Sequence, residues 1–347
     1  MRIFLLLLCL GLAPVFAGVD DEWAAILAMD AGPSRKPPNL EEARDMAKVH
    51  FARHAALIEK FLQENPSDPR VFDARLRLAA IRAATGKMEE RQSLVDESMR
   101  ILQSLEKDKM ATVSQRAEAG FRRVSLLMQS LKGQEFERRR DLVAAARNYA
   151  IRYAGDRRAA RLLVEVATIC DNDPVLKRQL LDEARQSSKE EMLNRRIQDD
   201  LQRLSLLDKT LPLRFSTLQG GTFNLENQKG KVVVLIFWSV ESAPSLLWMG
   251  DFRRALDSLP SDRIAVATVS VDKNPAQVFD FLNEAAISSW PTVCDGKGWS
   301  SPILREFGIN ALPTVFIFDQ RGILRAINAR NTYETWIRKL IVQPNAP

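Results

Sequence analysis

The residue pattern changes abruptly near residue 207, and this change limits the folds that the chain can adopt. From residue 40 to residue 206 almost no strand signal is present, and apolar residues recur at helical spacing among Ala, Arg, Glu and Gln. Beyond Leu213, β-branched runs alternate with turn residues, and five of the six tryptophans lie there. Because 347 residues exceed one ordinary core, we predict two domains, a helical module over residues 22–206 and an α/β domain over residues 209–347.

Turn residues divide the helical module into segments of about 15 to 20 residues, a length expected for paired helices. Asp173 before Pro174, for example, is a favourable N-cap for the helix that follows. Residues 68–76 and 156–162 both place Ala-Arg-Leu early in a helix after a turn that contains Asp. The module therefore resembles a degenerate tetratricopeptide-like solenoid of helical hairpins, and an irregular all-α bundle is the alternative. In either case, function is expected to come from a surface rather than from a reaction centre.

The C-terminal region predicts a layered α/β fold. Residues 232–237 form a continuous apolar run, as expected for a central strand that is covered on both faces, and residues 264–271 form a second run. Two further apolar runs are separated by Asp319-Gln320-Arg321-Gly322, which is a hairpin signal. Strands that alternate with helices, followed by a hairpin and a final helix, indicate an α/β sandwich.

The first residues of the chain indicate export. Arg2 precedes an apolar stretch from Ile3 to Leu12, and Val15-Phe16-Ala17 offers a site for signal peptidase. Residues 1–17 are therefore predicted to be a cleaved signal peptide, which would place the mature protein in the periplasm or outside the cell. The apolar stretch is too short to span a bilayer, and no later stretch approaches about 20 apolar residues, so we expect no transmembrane segment in the mature chain.

A series of landmarks follows the predicted domain boundary in a fixed order. They are Pro212, Phe215, Gly220-Gly221, Leu225, Gly230-Lys231, the apolar strand that ends at Phe237-Trp238, and the segment Gly308-Ile309-Asn310-Ala311-Leu312-Pro313-Thr314. In this order they resemble the TlpA/ResA-like thioredoxins of the bacterial envelope, which are related to the peroxiredoxin-type redoxins. The resemblance implies a thioredoxin-like fold for residues 209–347.

The resemblance also implies an active site without its chemistry. The family motif after the strand is Trp-x-x-x-Cys-Pro-x-Cys, whereas this chain reads Trp238-Ser239-Val240-Glu241-Ser242-Ala243-Pro244-Ser245. Disulfide exchange needs an attacking thiolate and a resolving thiol, so Ser242 and Ser245 cannot carry out the family reaction. Serine is also a favoured N-cap, and Ser242 can serve simply to start the next helix. We interpret Trp238, Ser242 and Ser245 as a redox-inactive pseudo-active site.

A peptide-docking edge is implied beside this pseudo-active site. In the family resembled, the bond that corresponds to Leu312-Pro313 is cis, and the backbone beside the proline pairs with an extended peptide, which needs no thiol. On a helix that begins near Ser242, Leu247 points away from the predicted buried stripe, and Leu246 lies at its margin. We expect both leucines to contact a protein or peptide partner or, by intramolecular docking of the two domains, the helical module.

Two cysteines remain after the predicted cleavage and leave an enzymatic alternative open. A thiol-disulfide oxidoreductase or peroxidase of the redoxin type could work through Cys294. However, Asp295 places a negative charge beside this thiol, which favours a buried structural cysteine over a reactive thiolate. Cys170 ends an apolar helical run and is expected in the core. Proximity cannot be read from spacing, so a disulfide between Cys170 and Cys294 stays open.

Other functional classes find little support in the sequence. The chain has 50 basic and 44 acidic residues, and no stretch combines clustered basic residues with interleaved aromatic ones, so nucleic-acid binding is not expected. His50 and His54 lie four residues apart on one predicted helix, but no third ligand accompanies them, so we expect neither a metal nor another cofactor. As a whole, the sequence predicts an exported protein that binds or scaffolds in the cell envelope, and it favours this non-enzymatic role over thiol chemistry at Cys294.

Overall fold

The computed structural model describes residues 18–33, 35–130, 136–171 and 173–342. The chain forms two compact units, of which the first comprises Met1–Asp156 and the second comprises Arg157–Pro347. The predicted signal peptide, residues 1–17, lies outside the described residues. Within the described ranges, no helix combines the length and the apolar character that are needed to cross a membrane.

The described part of the first unit is built of helices. They are α1 (Val19–Ala28), α2 (Leu40–Glu64), α3 (Val71–Met88), α4 (Gln92–Glu106), α5 (Val113–Gln129) and α6 (Phe136–Arg152). Each helix packs against the next one along the chain, as expected for helical hairpins. Polar caps set several helix starts: the Asn39 side chain accepts a hydrogen bond from the Glu42 N–H at 2.8 Å, and Thr112 and Gln115 form a reciprocal capping box.

The second unit opens with further helices before its sheet. They are α7 (Arg158–Ile169), α8 (Pro174–Ser187) and α9 (Glu191–Ser205), and each packs against the next. Helix α8 begins as predicted, because the Asp173 side chain accepts a hydrogen bond from the Leu176 N–H at 3.0 Å and Pro174 lies in the first turn. The predicted all-α character of the N-terminal region is therefore confirmed for the residues that the structure describes.

A short hairpin and a mixed five-stranded sheet follow. The strands are β1 (Arg214–Ser216), β2 (Thr222–Asn224), β3 (Val232–Trp238), β4 (Ile264–Ser270), β5 (Thr292–Val293), β6 (Thr314–Phe318) and β7 (Leu324–Ala326), and the helices between and after them are α10 (Ala243–Leu256), α11 (Pro275–Glu284), α12 (Pro302–Glu306) and α13 (Tyr333–Val342). The strand order is β5-β4-β3-β6-β7, with β3, β4 and β5 parallel and with β6 and β7 antiparallel to their neighbours. This arrangement confirms the predicted α/β thioredoxin-like domain.

Strand β3 is the centre of this sheet. All seven of its residues are buried, and it pairs with β4 on one side and with β6 on the other. Its residues Val232, Val234, Ile236 and Trp238 belong to a core that also contains Phe252 of α10 and Ile337 of α13. A strand that is covered on both faces needs no polar side, which explains its continuous apolar sequence.

The register of β3 and β6 places two chain segments at the same edge of the sheet. Phe237 pairs with Thr314 in antiparallel orientation, so β3 ends where β6 begins. The loop that follows Trp238 and the segment that ends at Pro313 therefore approach each other, although they are about 75 residues apart in the sequence.

Helix α9 packs against the segment that leads into β6. Arg203 donates hydrogen bonds from Nη1 to the Gly308 carbonyl and, at 3.0 Å, to Asn310 Oδ1. The same guanidinium forms an ion pair with Asp200, one turn earlier on the helix. Both side chains are about 5% exposed, and burial lowers the pKa of Arg203 to about 10. This buried polar cluster joins α9 to the sheet domain.

The compact units divide after Asp156, whereas the sequence pattern places the domain boundary between residues 206 and 209. The polar segment at that predicted boundary is paired with β7: the Asp208 N–H donates to the Leu324 carbonyl at 2.8 Å, and the Leu324 N–H donates to the Lys209 carbonyl at 2.9 Å. The amino-acid composition changes where α9 ends. The compact units instead reflect contacts between residues, and α9 contacts the sheet domain. Independent folding of residues 209–347 stays a prediction.

Substitution of Gly308 tests the packing of α9 on this segment. Gly308 has a φ of +63°, and an added Cβ would lie 2.3 Å from the Asp199 carbonyl oxygen. Gly322→Ala is the matched control, because its φ is +80° but the nearest atom, Leu225 Cγ, would be 3.7 Å away. Left-handed strain costs each variant about 1–2 kcal/mol. For Gly308→Ala we expect an additional loss of about 1–3 kcal/mol in the free energy of unfolding, measured in urea, because α9 must shift.

Equal losses in the two glycine variants would contradict the close packing of α9 on Gly308.

Candidate functional site

The loop after β3 leads into α10, and Ser242 caps this helix. The Ser242 Oγ accepts a hydrogen bond from the Ser245 N–H at 3.3 Å, and the Ser245 Oγ donates to the Ser242 Oγ at 2.9 Å. Ser242 is half-buried, whereas Ser245 is fully buried. The two hydroxyls therefore lie side by side at the positive end of the α10 dipole, and Ser242 is the more accessible of the two.

Trp238 is a core residue rather than a surface contact. Its side chain is fully buried and packs against Phe281, with ring centroids 5.2 Å apart. Among the residues that the structure describes, none accepts a hydrogen bond from Trp238 Nε1. Trp238 thus supports the start of the Ser242 loop from inside the core.

A buried aspartate that the sequence analysis did not single out orders this loop. Asp272 Oδ1 accepts from the Ser239 Oγ at 2.6 Å, and its Oδ2 accepts from the Val240 N–H at 3.0 Å and from the Ser270 Oγ at 2.6 Å. Asp272 is 4% exposed, so these hydrogen bonds replace the hydration that the carboxylate has lost. The network fixes the backbone between β3 and Ser242.

A signal for Asp272 was present in the sequence. It stands two residues after β4, a buried strand that is parallel to β3, and the register pairs Trp238 with Ser270. Carboxyl ends of adjacent parallel strands meet at one edge of a sheet, so a polar residue directly after β4 is expected to lie close to the loop after β3.

Leu246, Leu247 and Trp248 follow Ser245 on α10 and differ in exposure. Leu246 is partly buried against the core, whereas Leu247 is 73% exposed. Trp248 is also partly buried, and its Nε1 donates a hydrogen bond to the Arg330 carbonyl at 2.8 Å. Of the two leucines, Leu247 is therefore the one whose side chain is available to a partner.

The segment that leads into β6 lies at the same edge of the sheet as the Ser242 loop, and its Leu312–Pro313 peptide bond is cis. Pro313 is buried, Leu312 is half-buried, and the Thr314 Oγ1 donates to the Ala311 carbonyl at 2.7 Å. The N–H and C=O groups of Leu312 form no hydrogen bond to any residue in the described part of the chain. The backbone of Leu312 is thus available to pair with an added strand.

A cavity of about 900 Å³ adjoins this segment. One wall is formed by residues 310–314, and the facing wall is formed by α9 together with the end of α7 and the start of α8. Asn328, Arg330 and Asn331 complete it. The C-terminal helices of the predicted helical module therefore stand beside Leu312 and Pro313, within the second unit.

Neither cysteine of the second unit takes part in a disulfide in the part of the chain that the structure describes. Cys170 is buried at the C-terminal end of α7. Cys294 is half-buried, and its S–H donates a hydrogen bond to the Asp272 carbonyl at 3.3 Å. Cys294 thus contacts the residue that orders the Ser242 loop, and it forms no disulfide with Cys170.

The two histidines lie on α2 in the first unit, with ring centroids 6.1 Å apart. His54 is 5% exposed, and burial lowers its pKa, while Asp30 Oδ1 lies 3.9 Å from its Nε2. Within the described ranges, no group of three His, Cys, Asp or Glu side chains is arranged to hold a metal ion. His54 is therefore a neutral buried histidine at neutral pH.

Residues 205–327 match the model of the AhpC/TSA family. The matched range begins at the end of α9 and ends just after β7, so it includes the sheet and the segments with Ser242 and Pro313. The C-terminal part of the chain therefore contains a thioredoxin-fold domain of the redoxin type.

Two curated relatives from Bacillus subtilis (strain 168) match about a third of the chain. The chain is 28% identical over 109 residues to sporulation thiol-disulfide oxidoreductase A, an alignment that covers 30% of this chain and 63% of that protein. It is 30% identical over 115 residues to thioredoxin-like protein YneN, which covers 32% of this chain and 64% of that protein. The chain thus spans slightly less than two thirds of the length of these relatives.

Two solved structures indicate the extent of the structural likeness. A thiol-disulfide oxidoreductase from Bacteroides fragilis NCTC 9343 aligns over 37% of this chain and 98% of its own, at 20% identity and a TM-score of 0.32. A thioredoxin-like protein from Bacteroides vulgatus aligns over 38% of this chain and 86% of its own, at 24% identity and a TM-score of 0.34. At these values the likeness carries no information on activity.

Replacement of Asp272 tests its role in ordering the loop. Asp272→Ala removes the acceptor of three donors at a buried position, so we expect the free energy of unfolding to fall by about 3 kcal/mol. Asp280→Ala, on the exposed face of α11, is the control. It should change the free energy of unfolding by less than about 0.5 kcal/mol. Both values can be measured by urea denaturation, and similar losses in the two variants would contradict the role of the network.

Proposed function

We propose that this chain, which carries an AhpC/TSA-type domain, is an exported binding or scaffolding protein with a redox-inactive pseudo-active site. The observation that carries the proposal is the hydrogen-bonded pair of hydroxyls, Ser242 and Ser245, at the start of α10. In the TlpA/ResA-like thioredoxins that the sequence resembles, these two places hold cysteines. The proposed partner is a protein or peptide of the cell envelope.

Thiol-disulfide exchange needs two sulfur atoms in sequence. A thiolate attacks a substrate disulfide and displaces one substrate sulfur as a thiolate, and a second thiol then resolves the mixed disulfide. A helix N-terminus lowers the pKa of a cysteine there, but it cannot make a hydroxyl group form a bond to sulfur that a second hydroxyl resolves. Ser242 and Ser245 therefore retain the position of a redox pair and lack its reaction.

Nucleophilic catalysis by serine is not supported either. A serine nucleophile needs an adjacent base, and neither histidine of the chain lies in the second unit. Ser245 is fully buried, and its hydroxyl is already engaged with Ser242. The pair of serines is better explained as a helix cap that keeps the local fold.

The features that support binding do not depend on thiols. The backbone of Leu312 has unsatisfied hydrogen-bonding groups next to Pro313, as strand addition by an extended peptide requires. Leu247 offers an exposed apolar side chain on the helix that starts at the same edge of the sheet. Burial of a leucine side chain by a partner contributes about 1.5–3 kcal/mol.

Export is part of the proposal and rests on the N-terminal sequence. Residues 1–17 have the pattern of a cleaved signal peptide, and the TlpA/ResA-like proteins that the domain resembles act in the bacterial envelope. The helical hairpins of the first unit would then supply a second protein-binding surface, as helical arrays commonly do.

The enzymatic alternative is a redoxin-type thiol reaction at Cys294. The observation in its favour is that Cys294 is a free, half-buried thiol in contact with Asp272, beside the pseudo-active-site loop. This alternative needs a resolving thiol from a partner, because Cys170 is fully buried.

Insulin reduction with dithiothreitol as the recycling reductant separates the two functions. For the mature protein we expect a rate equal to that of the reductant alone and equal to that of a Cys294→Ala variant, because Ser242 and Ser245 supply no thiol. A rate clearly above that of Cys294→Ala would overturn the non-enzymatic proposal in favour of the thiol reaction.

Restoring the two thiols tests the placement of the pseudo-active site. In a Cys294→Ala background, Ser242→Cys with Ser245→Cys should form a reducible disulfide, because the two Oγ atoms are already 2.9 Å apart. The measurement is a count of free thiols in the denatured protein after mild oxidation, which should be two lower than after reduction. The single Ser242→Cys variant is the control and should show no such intramolecular loss. A folded double variant whose thiols never pair would show that the site has been misplaced.

A further inference from the structure

The cavity beside Leu312 and Pro313 has an unusual charge distribution. Five cationic and three acidic side chains line it, and they come from both of its walls. The thioredoxin-like segment supplies Arg330, whereas α8 and α9 supply the other four cations. The helices that precede the sheet thus add charged groups to a site that the sheet domain alone would leave open.

Two of the five cations are neutralised within the protein. Lys177 forms an ion pair with Asp171, and Arg203 forms one with Asp200. Lys177 and Arg203 are both nearly fully buried, so these pairs hold the wall of the cavity together rather than offer a free charge.

The remaining groups leave a surplus of positive charge. Arg195 pairs with Glu191 on the exposed side of α9. Arg196 and Arg330 form no ion pair with any residue in the described ranges, and both side chains are exposed to solvent. The third acidic group is Asp199, whose pKa is raised by burial, which disfavours its charged form.

One further donor in the wall lacks an acceptor. Arg203 Nε is buried and forms no hydrogen bond to the described residues, although Nη1 and Nη2 of the same side chain are engaged. An unpaired buried N–H is costly, and in folded proteins nearly all such groups have an acceptor, which is supplied by the protein, by ordered water or by a bound ion. The cavity therefore combines two unpaired guanidinium groups with an unsatisfied donor in its wall.

We propose that this cavity binds the carboxylate of an acidic side chain from an extended peptide that pairs with the backbone of Leu312, and that Arg196 and Arg330 hold this carboxylate. The inference rests on the proposed function, since it assumes peptide docking beside Pro313. Arginine suits the role because its planar guanidinium donates two parallel hydrogen bonds to a carboxylate. The partner class is thus an acidic, extended protein segment.

The test uses the mature full-length protein and three fluorescein-labelled, C-terminally amidated nonapeptides. One peptide alternates Thr and Glu, and the other two carry Gln or Lys in place of Glu. In fluorescence anisotropy titrations we expect the Glu peptide to bind about tenfold more tightly than the Gln peptide at low ionic strength, and the Lys peptide to bind most weakly. This preference should shrink as salt shortens the Debye length from about 30 Å to about 8 Å.

Paired substitutions identify the groups that recognise the charge. Arg196→Gln with Arg330→Gln should bring the affinity for the Glu peptide to that for the Gln peptide, and Arg196→Glu with Arg330→Glu should reverse the preference toward the Lys peptide. Arg195→Gln is the matched control, because it removes one charge from the next residue of α9 but that charge is already paired with Glu191. Both target side chains are exposed, and unchanged circular dichroism spectra will confirm that the variants fold.

The possible outcomes separate this inference from the proposed function. Equal binding of the Glu and Gln peptides would overturn the acidic specificity and leave peptide docking intact. A Glu preference that persists in both paired variants would overturn the assignment to Arg196 and Arg330. Failure of all three peptides to bind would contradict peptide docking at Leu312, and the inference with it.

Discussion

The complete burial of β3 is the constraint on which the rest of the second unit depends. The strand pairs with β4 in parallel and with β6 in antiparallel orientation, so the end of β3, the end of β4 and the start of β6 meet at one edge of the sheet. The loop to Ser242, the Asp272 carboxylate and the Leu312–Pro313 segment all follow from these three strand ends. A change that exposed β3 would therefore disperse the whole candidate site.

Two buried charged residues fix this edge from different sides. Asp272 gathers hydrogen bonds from the loop after β3, and Arg203 connects α9 to the segment before β6. Burial of a charge is unfavourable unless partners compensate for the lost hydration, and both residues have such partners. Each residue thus holds one backbone segment of the candidate site in place: Asp272 holds the loop to Ser242, and Arg203 holds the segment that leads to Pro313.

In the function that we propose, chemistry and recognition are separate. Ser242 caps α10, so hydroxyls at positions 242 and 245 are compatible with the start of this helix, although they supply no thiol for disulfide exchange. The Leu312 backbone and the adjoining cavity do not involve these hydroxyls. In the function that we propose, the domain keeps the edge at which redoxins meet polypeptides, and α9 adds cationic groups that select among them.

The sequence by itself determined the helices, the succession of strands and helices along the C-terminal region and the position of Ser242 and Ser245, because periodicity, caps and motif order are local properties of the chain. It did not reveal Asp272 or Arg203, whose partners Val240 and Asn310 are 32 and 107 residues away in the chain. It also did not place α7–α9 in the second unit. Only the tertiary structure decided these points, because burial and the choice of polar partners arise from contacts between segments that are distant in sequence.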